Sequence, residues 1–123
     1  MPRSVPNIRI KRVYEPADPT DGFRALVDRL WPRGLSKRRA ALDAWLIELA
    51  PSTALRQWLH QDPGRWARFT RRYRSELRAQ RPALLALRQR AQAGRVTLLY
   101  GSREPQRNHA RILGEVLRRL KPD

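Results

Sequence analysis

The stretch "GRVTLLYG" limits the fold of this chain more than any other, through its five residues Val96–Tyr100. A short, nearly unbroken apolar run bounded by glycines reads as a strand covered on both faces, because a strand with one wet face alternates apolar and polar side chains. Such a strand needs a layer packed on either side of its sheet, which points to an α/β fold. A length of 123 residues suits a single domain with one hydrophobic core, spanning 1–123, with residues 1–6 and 121–123 as loose ends.

The rest of the chain can be fitted around that strand. In "NIRIKRVY" the apolar Ile8, Ile10 and Val13, with Tyr14 closing the run, predict a first strand over residues 7–14, with Arg9 and Lys11 on its opposite face. "EPADPTDG" follows as loop, since its prolines, aspartates and glycine cannot continue a strand. Residues 23–31, "FRALVDRLW", fit a second strand or one short helix, and the strand is favoured because Pro32 and Gly34 end the segment so soon. After Ser36, a plausible N-cap, "SKRRAALDAWLIEL" fits either a helical turn or a short strand leading to "APS". Ser52 can cap a helix carrying Leu55, Trp58 and Leu59, broken by "HQDPGR". Trp66, Phe69, Tyr73 and Leu77 then form one apolar stripe at helical spacing. A third helix runs from Pro82, suited to a first turn, to Ala93, with Gly94 as its stop. Asn108 is a natural N-cap for a last helix bearing Ile112, Leu113, Val116, Leu117 and Leu120. The expectation is a single small α/β domain: a short, partly parallel sheet flanked by helices.

Composition removes several chemistries. Without cysteine there is no disulfide, thiol nucleophile or thiolate zinc site, and no metal site is expected. No segment approaches the roughly 18 apolar residues of a membrane span, and "MPRSVPNIRIKR" lacks the apolar core of a secretion signal, so a soluble, cytoplasmic protein with no membrane partner is expected. A net charge of +16 favours anionic partners, nucleic acid among them, although all but three of the 27 basic residues are arginines scattered along the chain.

In open α/β sheets ligands bind outside the carboxyl ends of the strands, where loops and helix N-termini meet. Two loops fall there: "WPRG" after the second strand and "GSREPQRN" after the buried one. A small anionic ligand, phosphorylated or carboxylate, is the partner they suit. Arg33, between Pro32 and Gly34, offers a planar fork to such a group, and Arg103 and Arg107 bring further charge. Trp31 would form a wall, with Arg29, Tyr100 and Asn108 at the borders. His109, in the first turn of the last helix, is the candidate acid or base, and Asp28 the carboxylate that would orient it or a substrate hydroxyl. His60 reads as an ordinary helix-end contact. Whether the site catalyses anything is left open by the residues. Two alternatives stand beside it. One is a nucleic-acid surface formed by Arg65, Arg68, Arg71 and Arg72 around the Trp66 stripe; the other is an interaction domain in which Arg33 and Asp28 merely pair internally.

Several segments also carry a family resemblance. "KRVYEP", "DGFRALVDRLWPRGLSK", "LDAWLIELAPS", "RYRSEL" and "VTLLYGSREPQRNHARIL" resemble the YeaO-like family of bacterial proteins, domain of unknown function 488, from about Ile8 to Leu120. The resemblance implies a small cytoplasmic α/β protein and brings no settled biochemical activity with it. Longer relatives in the wider group carry cysteines at the positions of Tyr100 and Asn108, and this chain has neither, so thiol or metal chemistry does not transfer to it. Some relatives bear a porphyrin methyltransferase label, but no glycine-rich cofactor loop follows the first strand here and no cofactor is expected.

Overall fold

A computed structural model describes residues 5–121. Its strands are β1 (Ile8–Arg12), β2 (Phe23–Leu26), β3 (Ala44–Trp45) and β4 (Val96–Tyr100), and its helices α1 (Lys37–Ala40), α2 (Thr53–Gln61), α3 (Trp66–Arg78), α4 (Arg81–Ala93) and α5 (His109–Arg119). The sheet order is β1-β4-β2-β3, and every pairing is parallel. The expected α/β sheet is thus present, and it is parallel throughout. All connections are long enough to cross over a face, as parallel pairing requires.

β4 lies at the centre and each of its residues is buried. Val96, Leu98 and Tyr100 face the larger core, with Phe69, Tyr73, Leu77, Leu84, Leu113 and Leu117 from α3, α4 and α5. Leu99 faces a smaller core made with Val13, Leu26, Leu35 and Ala40. Two covered faces are the reason this strand shows no alternation. Tyr73, fully buried in the larger core, donates its hydroxyl to the Leu49 carbonyl at 2.5 Å. Burial, with the nearby charges of Glu76 and Asp28, pushes that phenol well above its ordinary pKa.

Helix boundaries follow their caps. Ser52 accepts from the Leu55 amide at 3.2 Å to open α2, Pro82 sits in the first turn of α4, and Asn108 accepts from the Arg111 amide at 3.2 Å to open α5. The ambiguous segment after Ser36 realises both readings in turn. Ser36 caps the short α1, Ala41 turns the chain at a φ of 47°, and β3 follows beside β2.

Two strands are shorter than their apolar patterns. β2 stops at Leu26 rather than Trp31, and β1 at Arg12 rather than Tyr14. Backbone ladder bonds persist one residue further, from Val27 N–H to Leu99 O at 3.0 Å and from Val13 N–H to Tyr100 O at 2.8 Å. Beyond that, the Asp28 side chain rather than its backbone receives the next β4-side donor, the Gly101 amide.

Arg9 and Lys11 lie on the face of β1 opposite Ile8 and Ile10, as expected, and are paired there. They converge with Arg24 on the carboxylate of Asp21, which is wholly buried, at 3.2, 3.0 and 2.5 Å. Arg24, itself 4% exposed, also donates to the carbonyls of Ala40 and Ala41. This ion cluster fastens α1 to the sheet. The expectation of loose ends falls mostly on residues 1–4 and 122–123, outside the described part; within it Pro6 is buried and the Lys121 carbonyl accepts from Arg81. Among the described residues no helix is long and apolar enough to cross a membrane.

Candidate functional site

Parallel pairing puts the carboxyl ends of all four strands on one edge, so the loops after β2 and β4 meet there. Between them and the α2–α3 hairpin lies a cleft of about 470 Å³. Asp28 joins its two sides. One carboxylate oxygen accepts the Gly101 N–H at 2.9 Å, and the other lies 3.0 Å from His109 Nε2. The same Nε2 is 2.9 Å from the Val27 carbonyl. Both neighbours of Nε2 are acceptors, so that nitrogen carries the ring proton. Its N–H is directed to Val27, which leaves the buried Asp28 Oδ1 in contact with the imidazole but without a hydrogen bond. Asp28 and His109 therefore tie the ends of β2, β4 and α5 together.

Gly101 is part of this tie. A Cβ there would lie 2.9 Å from Asp28 Oδ2, an atom at the end of a short side chain already held in place. Gly101→Ala is expected to cost about 1–3 kcal/mol, the usual penalty of overpacking, read as a lower urea midpoint at unchanged m-value. Wild-type stability in that variant would show that the tie yields freely.

The expected site residues divide by what holds them. Arg33, Arg103 and Arg107 are exposed and line the cleft. Arg33 is anchored through its backbone, whose carbonyl accepts the Tyr14 hydroxyl at 2.7 Å. Trp31 also lines the cleft, with its indole N–H on the Leu35 carbonyl at 2.6 Å and its ring edge-on to Trp45 at 5.4 Å. Arg29 borders the cleft, but its guanidinium bonds the Pro51 and Ala50 carbonyls at 2.9 and 3.4 Å. Asn108 is buried and spends its amide on its own loop and helix, donating to the Glu104 and Pro105 carbonyls while capping α5. Tyr100 is not brought to the cleft; as an alternate residue of β4 it points into the larger core. Lys11 belongs to the Asp21 cluster, whereas Arg12 reaches the β4 loop through the Ser102 carbonyl at 3.0 Å.

Several lining residues carried no such signal. His60, in the last turn of α2, also borders the cleft, together with Arg56, Trp66 and Phe69. Periodicity marked Trp66 and Phe69 as core, which is correct for Phe69 at 2% exposed, but it cannot show that the start of α3 lies against the sheet's carboxyl edge. Of the arginines considered for nucleic acid, Arg65, Arg68 and Arg72 stand over the Trp58 ring at 4.9, 5.5 and 4.2 Å, and Arg71 is exposed. The internal Arg33–Asp28 pair does not form; the carboxylate is occupied by Gly101 and His109.

A family model described as "Inactive DUF488-N3 subclade" matches residues 7–121. The uncharacterized protein YeaO of Escherichia coli (strain K12) is 44% identical over 114 residues, covering 93% of this chain and 99% of that protein. The uncharacterized proteins Mb3100c of Mycobacterium bovis and Rv3073c of Mycobacterium tuberculosis (strain H37Rv) are each 41% identical over 110 residues, covering 89% of this chain and 92% of theirs. No solved structure matches significantly.

Proposed function

Given that this chain belongs to the inactive DUF488-N3 subclade, we propose that it binds a small anionic ligand at the carboxyl edge of its sheet and carries out no reaction on it. The charge balance of the cleft carries this reading. Among the described residues, Arg33, Arg56, Arg103 and Arg107 line it against a single carboxylate, Asp28, which already faces His109 and the Gly101 amide. A dianion such as a phosphate monoester offsets that excess better than a monoanion, and guanidinium forks match its oxygens. The description of the subclade as inactive supports binding without turnover. So does His109, whose proton-bearing nitrogen is committed to the Val27 carbonyl.

The test is calorimetric titration of wild type and the double variant Arg33→Ala/Arg103→Ala with ribose 5-phosphate. Both side chains are exposed, so unliganded stability should change by no more than about 0.5 kcal/mol. Affinity should fall about tenfold or more, as loss of two charge-assisted contacts requires. Equal affinity in the double variant, or no binding to the wild type, would remove the proposal.

The net charge of +16 favours a second reading, nucleic-acid association through Arg65, Arg68, Arg71 and Arg72. Such binding would weaken steeply with salt and grow with oligonucleotide length. Three of these guanidiniums already cover Trp58, so that ring is not an open platform for a base.

A further inference from the structure

An anion alone has no need of aromatic walls, yet the cleft has them. Trp31 and Trp66 are both half-buried and both line it. Each is fixed before any ligand arrives. The indole N–H of Trp31 is held by the Leu35 carbonyl, and the ring is braced by the edge of Trp45. Trp66 stacks on the buried Phe69, with centroids 5.1 Å apart and planes 18° from parallel. Rings fixed in this way lose little freedom on binding and present apolar surface that a flat group would remove from water. The volume of about 470 Å³ is within the usual range for small-molecule sites and exceeds what a bare phosphate fills.

We infer that the ligand is a phosphate monoester bearing an aromatic or heteroaromatic ring, of about the size of a mononucleotide, with its ring against Trp31 or Trp66 and its phosphate on Arg33 and Arg103. This rests on the anion-binding reading and adds the ring to it. Arginines hold the charged end, and indoles hold the flat end. Asp28 and Gly101 keep the two loops that carry Trp31, Arg33 and Arg103 at a fixed separation.

Adenosine 5'-monophosphate and ribose 5-phosphate carry the same phosphate and differ by the ring, so the pair isolates the inference. Both are titrated into wild type, Trp31→Leu and Trp66→Leu, with thermal melting as the check that each variant is folded. Wild type should bind the nucleotide about tenfold more tightly, or better, in line with one stacked base. At least one tryptophan variant should lose that preference while keeping its affinity for ribose 5-phosphate. If wild type binds both equally, the ring inference fails and the anion site stands. A preference that survives both folded variants would remove the indoles from the site and overturn the inference as well. If neither compound binds, the anion reading itself falls and takes this one with it.

Discussion

Asp21→Asn is expected to destabilise the protein by about 3–5 kcal/mol at neutral pH, the cost of breaking a buried ion pair from one side. The carboxylate has no exposed surface, and its partners Arg9, Lys11 and Arg24 would be left facing one another. Arg24 cannot turn to water, because it is buried and bonded to the carbonyls at the end of α1. The effect has a pH signature. Burial pushes the Asp21 carboxyl up, but hydrogen bonds from Lys11, the Asp18 amide and Arg24, with the Lys11 charge, outweigh it and hold the pKa at about 2, against 3.8 ordinarily. A folded-state pKa below the unfolded one stabilises the protein above the unfolded value. That contribution, about 2 kcal/mol by linkage, is lost as pH falls from about 4 through 2. Urea denaturation of both proteins at pH 7 and near pH 2.5 checks this: the gap should be wide at pH 7 and narrower in acid. Equal stability at pH 7 would mean that the cluster adds nothing.

Gly22→Ala should be as damaging, for a steric reason. Gly22 has a φ of +66° and a ψ of −132°, a backbone region that side chains oppose. A Cβ built there would lie 2.3 Å from the Arg95 carbonyl oxygen and 3.0 Å from its carbon. That carbonyl accepts the Phe23 amide at 2.9 Å, the first link between β2 and the central strand. Neither backbone can retreat without opening the sheet at its start. Strain and overlap together should cost about 3–5 kcal/mol, a fall in Tm of roughly 12 °C or more for a domain near this size. Gly94→Ala is the control, since nothing lies within 4 Å of its added carbon. Similar melting of Gly22→Ala and Gly94→Ala would show that the turn relaxes easily.

Much of the fold was legible because single residues announce it. The glycine-bounded run of β4 required two covered faces, the stripe from Trp66 to Leu77 named the buried side of α3, and Ser52 and Asn108 marked helix starts to the residue. The reach of β2 was not legible. Its apolar pattern continues to Trp31, but pairing with β4 stops at Leu26 opposite Leu99, and a strand's length depends on its neighbour as well as itself. The Asp21 cluster was hidden for a related reason. Arg9 and Lys11 alternate with apolar residues just as a wet face would, and only the return of the chain through residues 15–22 puts a carboxylate over them.

The site divides in the same way. The two loops meet at one edge, and Asp28 touches His109 there, because both stand where parallel strands end, a placement the strand pattern implies. The same pattern also puts Arg29, Asn108 and Tyr100 among the ligand-facing groups. The first two use their donors on nearby carbonyls, and the third alternates into the core. Trp66 and His60 entered the cleft through the packing of α2 and α3, which no spacing along the chain encodes.

The charged residues of "LVDRLWPRG" thus gather where β2 leaves the sheet, the edge proposed to hold an anion. The most direct measurement is a titration of isotope-labelled protein with ribose 5-phosphate, followed through backbone amide shifts. Saturable shifts confined to residues 28–34 and 101–109, absent in Arg33→Ala/Arg103→Ala, are the predicted result. Shifts that map instead to the exposed arginines of α3, or that never saturate, would contradict it.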